Sequence, residues 1–471
     1  MKKIMALILI VVLTMSTFLV GCGSKDNDKT DNGTVTDNST DNDTGKDNDT
    51  GKDVADEKEW SGTIKVQMIG SFKMEDSTDP VSGVKTKGVH LLKEEFERTH
   101  PGAKVEYVLM GWDSYQQKTQ AMLMSGEADV YQVPGIASFA AQGLLEPLAP
   151  YIENENYDLE KYINGQVNGW KAMGPEDSDL EIYGVPVLGD TRVIVYDKKI
   201  FDDWGVEYLS EEPTIDEIME KAAKMTGKNP VTGEENYGLY FRGKYASDLA
   251  LNIGESLGGT WGTGFRYKDL QVNFNSEEMK KGVQYLKDAV AYAPSGILSE
   301  QGNELFLTEN NNIGMTLRIG PGFLKPIYSN GLDERYGASL LFVNPEKGMG
   351  GVFEGSPCAI GKSSENKELA WEYLKFTGSE FYQQYLWDEY MAAPVLKSAT
   401  EWEHIKAVPQ MEVVLKAMGR LWGPRYPYRS AQPKSILASN VELALLGQAS
   451  IEEALDNAQK ETEEWIKEQQ K

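Results

Sequence analysis

Beyond residue 60 the apolar positions switch repeatedly between an alternating and a helical spacing. SGTIKVQMIG (61–70) and AKVEYVLM (103–110) alternate as strands. Between them HLLKEEFERTH (90–100) has Leu91, Leu92, Glu95 and Phe96 at helical spacing, and Pro101-Gly102 stops it. SYQQKTQAMLMSG (114–126) reads as a helix ended by Gly126, and ADVYQVPG (128–135) as a short buried strand. The pattern then recurs. YGVPVLGDTRVIVYDKKIF (183–201) passes from a turn through an apolar strand into a helix, and ENYGLYF (235–241) is another strand. PTIDEIMEKAAKMTG (213–227) carries Thr214 as an N-cap with Glu217 at capping-box spacing, and Ser276 caps an amphipathic helix over 276–293. Strands alternating with helices predict an α/β fold with parallel sheets. Ligands on such sheets sit beyond the C-terminal strand ends. That rule directs attention to the loops Ser71–Pro80, Gly111–Trp112 and Pro134–Ser138.

Two other regimes precede this body. Lys2 and Lys3 lead an apolar run over 4–20 that ends in Leu19-Val20-Gly21-Cys22, the layout of a secretory signal peptide over 1–21. Its end resembles the bacterial lipobox, which implies diacylglycerol transfer to Cys22 and cleavage before it. The competing reading is a transmembrane anchor, because roughly 17–25 apolar residues span a bilayer. Residues 22–59 have almost no apolar side chains to offset the cost of ordering the chain. They are expected to form a disordered linker from the lipid to the folded part. Asp residues spaced two apart in the repeated NDTGKD (42–47 and 48–53) lack the bidentate Glu and flanking helices of a calcium loop. The second cysteine, Cys358, then has no disulfide partner and lies in the apolar context GSPCAIG, as a buried thiol would.

Charge narrows the function classes. A net charge of −26 opposes nucleic acid, which demands a basic surface, and a peripheral hold on anionic lipid. The three histidines, His90, His100 and His404, form no metal-ligand spacing, and there is no nucleophile elbow or P-loop. No metal and no cofactor is expected. Carboxylates are abundant, so a glycosidase pair is easy to imagine and carries no weight without geometry.

The order of segments resembles the extracellular solute-binding protein family 1, the group of maltose-binding-like proteins. FERTHPGAKVEYV (96–108) followed by GWDSYQQKTQAMLMSGEADVYQV (111–133) is similar to that family's N-terminal signature, without the usual Pro before Asp129. YGVPVLGDTRVIVYDKKIF resembles its first crossover, and NNIGMTLRIGPGFLKPI (311–327) its return crossover, with Phe323 where many members place Trp nearby. GVFEGSPCAIGKSSENKELAWEYLKF (351–376) resembles the segment before the third. The resemblance implies a type II two-lobed fold of the periplasmic-binding-protein kind, its lobes joined by three crossover segments around a central cleft. Lobe 1 would take 60–188 plus 321–392, and lobe 2 would take 189–320 plus 393–471.

It further implies capture of a sugar or oligosaccharide for an ABC importer by a monomeric, lipid-anchored protein on the outer face of a Gram-positive cell membrane, with permease subunits as partners and no catalysis. Alternatives are a polyamine or peptide binder, a receptor for a sensor kinase, and a glycoside hydrolase. Sugars present apolar faces and a rim of hydroxyls, so the site calls for aromatic platforms edged by polar groups. Asp190 and Arg192 fall in the first crossover, where each would meet hydroxyls or pair with the other. Trp112 and Tyr115 follow a strand, and Trp261 is framed by glycines. Phe323, Gly355, Ser356 and Tyr426 are placed at the cleft by resemblance alone. Trp371, Tyr373 and Phe376, at helical spacing, read as core, as does Trp465.

Overall fold

The computed structural model describes residues 59–78, 84–260, 262–342, 354–419 and 431–469. The signal peptide, Cys22, nearly all of the linker, Trp261 and Tyr426 lie outside the described residues, as does the side chain of Asp190. Among the described residues no helix is long and apolar enough to cross a membrane.

Ten strands form two five-stranded sheets. In chain order they are β1 (Gly62–Ile69), β2 (Ala103–Met110), β3 (Val130–Gln132), β4 (Val185–Asp190), β5 (Val193–Asp197), β6 (Gly227–Lys228), β7 (Glu235–Tyr240), β8 (Ile313–Ile319), β9 (Tyr336–Leu340) and β10 (Glu354–Ile360). The first sheet has the order β2-β1-β3-β10-β4, and the second β6-β7-β8-β5-β9. The alternating segments are therefore strands as read, and the fold is α/β.

The sheets are mixed rather than parallel. β1 runs parallel to β2 and β3, and β7 parallel to β8. β10 opposes both β3 and β4, while β5 opposes both β8 and β9. The local βαβ units give the parallel part. Strands without a crossover helix on their own sheet enter in the opposite sense.

Each sheet is buried by helices on its faces. β1 lies between β2 and β3 and is buried on both faces, so Ile64, Val66 and Met68 pack on one side while Gln67 faces the other. Gln67 Nε2 donates to Thr119 Oγ1 at 2.7 Å on the helix Tyr115–Ser125, which offsets part of the cost of burying that amide. Trp371, Tyr373 and Phe376 lie in the first core on the helix Lys367–Thr377. Trp465 packs edge-on against Tyr267 at 5.2 Å in the second lobe. Thr214 and Ser276 cap their helices by accepting from the Glu217 and Met279 amides. The capping box at Thr214 is only half made. The Glu217 carboxylate reaches instead to the Ser210 amide at 3.0 Å and hydroxyl at 2.7 Å, holding the preceding loop.

Two assignments of lobe boundary differ from the strand pairing. Tyr336–Leu340 falls in the stretch given to lobe 1, yet it pairs with Val193–Asp197 in the second sheet. Strand β5 has a free side next to β8, and the apolar strand β9 fills it. Residues 393–418, given to lobe 2, contribute Val395, Ile405, Met411 and Val414 to a core that also holds Ile64 and Val66 of the first sheet. The same core takes Val193 and Val195 from β5, so it spans both sheets.

Cys358 is 3% exposed in β10, and burial pushes its thiol up to about 12. Its thiolate is then scarce at any mildly alkaline pH. Alkylation of the native protein should leave Cys358 unmodified and should modify it fully in urea, with peptide mass mapping separating it from Cys22. Labelling of Cys358 at the same rate in both states would refute a buried thiol.

Candidate ligand-binding site

β4 runs almost directly into β5, with only Thr191 and Arg192 between them. This two-residue link carries the chain from the first sheet to the second. The segment after the helix Glu380–Tyr390 passes beside it: the Gly189 amide donates to the Ala393 carbonyl at 3.1 Å. A Cβ on Gly189 would lie 2.4 Å from that carbonyl oxygen and 2.5 Å from Met418 Cε. Only glycine lets the two passages approach this closely. Strand β8 ends next to β5, with Ile319 opposite Val193, and Gly320 and Pro321 follow at once.

A cavity of about 830 Å³ opens at this junction, floored by Leu188, Gly189, Arg192, Ile319 and Gly320. The stretches identified as the first and return crossovers therefore meet at one opening. The volume falls among ligand pockets, roughly 300–1,000 Å³.

The walls are aromatic on both sides. Beyond the C-terminal end of β2, Gly111 and Trp112 begin the loop into the next helix, and Trp112 is 46% exposed. Its ring meets Tyr115 edge-on, with centroids 5.4 Å apart and planes at 87°. Phe72, after β1, and Tyr390, at a helix end, form a second edge-on pair at 4.9 Å. From the second sheet, the segment after β7 brings Tyr245 to the cavity just before the helix Ala246–Ser256.

That second wall is basic. Arg242, Lys244, Arg318 and Lys434 place their cationic groups 5.3, 5.3, 5.0 and 5.6 Å from the Tyr245 ring centre. All four line the cavity. Asp248, 4% exposed at its side chain, accepts from Lys434 Nζ at 2.8 Å and lies 3.5 Å from Arg318 Nη2. Glu300 accepts from Arg242 Nη2 at 3.0 Å, and Lys244 Nζ lies 3.7 Å from it. Arg318 is a non-glycine residue in the left-handed region, with φ of 59°, where the β8–β5 register slips between Thr316 and Ile319. The bulge re-aims its side chain into the cavity wall at the cost of local strain.

Among the residues proposed from sequence, Trp112, Tyr115, Arg192, Phe323, Gly355 and Ser356 all border this cavity. They do so differently. Arg192 donates Nη1 to the Thr191 carbonyl at 2.7 Å. Phe323 is 2% exposed and its ring belongs to the core beneath the opening, so it supports the floor and offers no platform. Gly355 and Ser356 sit in β10 opposite Gly189 and Leu188. The Asp190 backbone pairs with Glu354 one step further along.

Phe72, Tyr390, Tyr245 and the four cations were not anticipated. Tyr245 and Lys244 follow a strand end, the same signal that pointed to Trp112. Arg318, a lone cation within the apolar strand IGMTLRI, carried another. Among the described residues no group of three His, Cys, Asp or Glu side chains is placed to hold a metal ion.

Two sheets of mixed sense, joined by short passages that floor an aromatic cleft, define the type II two-lobed binding-protein fold. The chain belongs to the family of bacterial extracellular solute-binding proteins, whose sequence pattern matches residues 83–384. A binding protein of Brucella abortus is 23% identical over 297 residues, 60% of this chain and 67% of that protein. An ABC substrate-binding protein of Listeria monocytogenes, solved in complex with cycloalternan, superposes with a TM-score of 0.68 at 20% identity, covering 85% of this chain and 97% of its own. The maltose-bound MalE3 of T. maritima gives 0.66 at 21% identity, covering 85% and 98%.

Proposed function

We propose that this chain captures a sugar or oligosaccharide in the cleft outside the cell and delivers it unaltered to the permeases of an ABC importer. The reading rests above all on aromatic rings facing the cavity from both walls, Trp112 and Tyr390 from one side and Tyr245 from the other. Flat rings cover the C–H faces of a pyranose, while the polar groups around them meet its hydroxyls. The junction at Gly189 joins the two sheets by short passages, which suits closure of two halves around a ligand. Closure shifts an open–closed equilibrium by the ligand's preference for the closed form and requires no catalytic group. The saccharides in the similar Listeria and T. maritima structures favour the same ligand class.

In this reading Trp112, Tyr115, Arg192, Gly355 and Ser356, with Asp190, Trp261 and Tyr426, contact the ligand, and Phe323 supports the floor. The lipobox-like end at Cys22 would hold the protein on the outer face of the membrane, where two acyl chains suffice for stable anchoring. The body would act as a monomer.

A thermal-melt screen of the full chain against mono- and oligosaccharides, polyamines and amino acids tests this reading. A ligand present at about 100 times its Kd stabilises the folded form by about 2.7 kcal/mol, so a saccharide hit should raise the melting point plainly. Shifts from polyamines or amino acids alone would sink the proposal. Release of reducing sugar from the bound oligosaccharide would move the chain to the hydrolases.

A further inference from the structure

We infer that the bound solute lies against the bare backbone of Gly322 in the cleft, and that this glycine determines specificity because any side chain there would take the ligand's place. The inference rests on the solute-capture reading above and deepens it.

Two local demands ordinarily call for glycine: a left-handed backbone, or a neighbour too close for a Cβ. Gly205 meets the first, with φ of 62°. Gly238 meets the second, since a Cβ there would lie 1.9 Å from the Ala222 carbonyl oxygen. Gly322 meets neither. It is the middle residue of the short helical turn Pro321–Phe323 and lies outside the left-handed region. Among the described residues no atom comes within 4 Å of a Cβ built on it.

Alanine would serve folding better at such a place, because glycine loses more chain entropy when the protein folds. The turn has no need of a loose link either. Pro321 fixes φ just before it, and Phe323, Leu324 and Ile327 are buried in the core just after it.

The cavity supplies the missing reason. Gly322 is exposed between buried Pro321 and Phe323, and it lines the opening. Close approach of a ligand to the main chain is a third demand that glycine meets. Lys325, one turn further on, holds its Nζ 5.3 Å from the Tyr390 ring centre, so the bare turn adjoins an aromatic platform of the same cavity. A sugar ring lying on Tyr390 would run on across Gly322, with its edge in van der Waals contact with Cα and the flanking peptide planes. The anchored turn then sets the width that the ring must fit.

The test takes forward the compound that most raises the melting point of the full chain in the screen of saccharides, polyamines and amino acids. That compound is titrated calorimetrically into wild type, Gly322→Ala and Gly322→Leu. Alanine should weaken binding by about tenfold and leucine by about a hundredfold, the scale of forcing added carbon groups into a filled space. The ligand-free melting point should hold or rise by about 1 °C for alanine, because the backbone conformation suits it. A purely structural glycine would show the reverse, a lower melting point with affinity kept.

Methyl NMR reads the contact directly. The alanine variant adds one methyl signal that the wild type lacks, and in the bound state it should show NOE contacts to carbon-bound protons of the compound. Both variants binding a saccharide like wild type, or a new methyl that meets only protein protons in the bound state, would overturn the assignment of Gly322 and leave the saccharide reading intact. Binding of polyamines or amino acids alone would overturn the saccharide reading, and the same two variants would then decide the place of Gly322 with that compound.

Discussion

Replacing Asp197 with alanine should destabilise the ligand-free protein by about 3–5 kcal/mol, the range for removing one partner of a buried ion pair. Asp197 is fully buried at the end of β5, away from the cleft. Its carboxylate accepts from Arg335 Nε at 2.9 Å and Nη2 at 2.6 Å, from Asn311 Nδ2 at 2.7 Å and from the Lys199 amide at 3.0 Å. One side chain therefore ties the start of β9, the approach to β8 and the first turn of the helix Lys198–Trp204.

Alanine would leave the Arg335 guanidinium partly buried without its counter-charge and would remove the helix cap, itself worth about 1 kcal/mol. Asp197→Asn keeps an oxygen for the Lys199 amide and should lie between wild type and alanine. Calorimetric melting of the three proteins gives the order, and a loss below about 1 kcal/mol for alanine would refute the claim that the network holds this end of the sheet. Asp197 does not line the cavity. Ligand affinity measured well below the melting point should therefore be unchanged, which separates this variant from those in the cleft.

The contrast also shows what could be read along the chain. The strand over 103–110 and the helices capped by Thr214 and Ser276 follow from local spacing and a cap, because alternation and helical periodicity are set within a few residues. The sense of β10 and the sheet to which β9 belongs are set by partners far away in sequence. No local pattern records them. Trp112 and Tyr115 were legible as aromatics just beyond a strand, where a sheet presents its ligands.

Tyr245 obeys the same rule, since it follows the end of β7 in the run RGKY. Lys434 and Tyr390 sit on helices that come to the cavity only through tertiary packing. Phe323, placed at the cleft by resemblance alone, borders the cavity. The short turn after β8 nevertheless packs its ring inward with Leu324 and Ile327.

Removing the Trp112 ring should produce the largest loss of affinity of any single change on the first wall. The indole stands at the mouth of the cleft on a loop that begins at Gly111, where an added Cβ would meet nothing within 4 Å. Ser114 holds a left-handed conformation, φ 54°, at the end of that loop. Tyr115 meets the indole edge-on and fixes its plane. The ring is thus pre-positioned, and binding loses little entropy in ordering it.

Trp112→Ala should weaken ligand binding by about 2 kcal/mol or more, roughly thirtyfold, as buried aromatic anchors do at interfaces. The ligand-free melting point should hardly move, because a side chain this exposed contributes within about 0.5 kcal/mol to folding. Trp112→Phe should recover part of the loss, since it restores a flat apolar face without the indole N–H. Tyr115→Ala should weaken binding less, by freeing the indole rather than removing it. Titration of these variants with the ligand found in the melt screen gives the ranking. An alanine variant that binds like wild type would mean that the ligand sits deeper, against Tyr390 and Tyr245, and that Trp112 only shields the entrance.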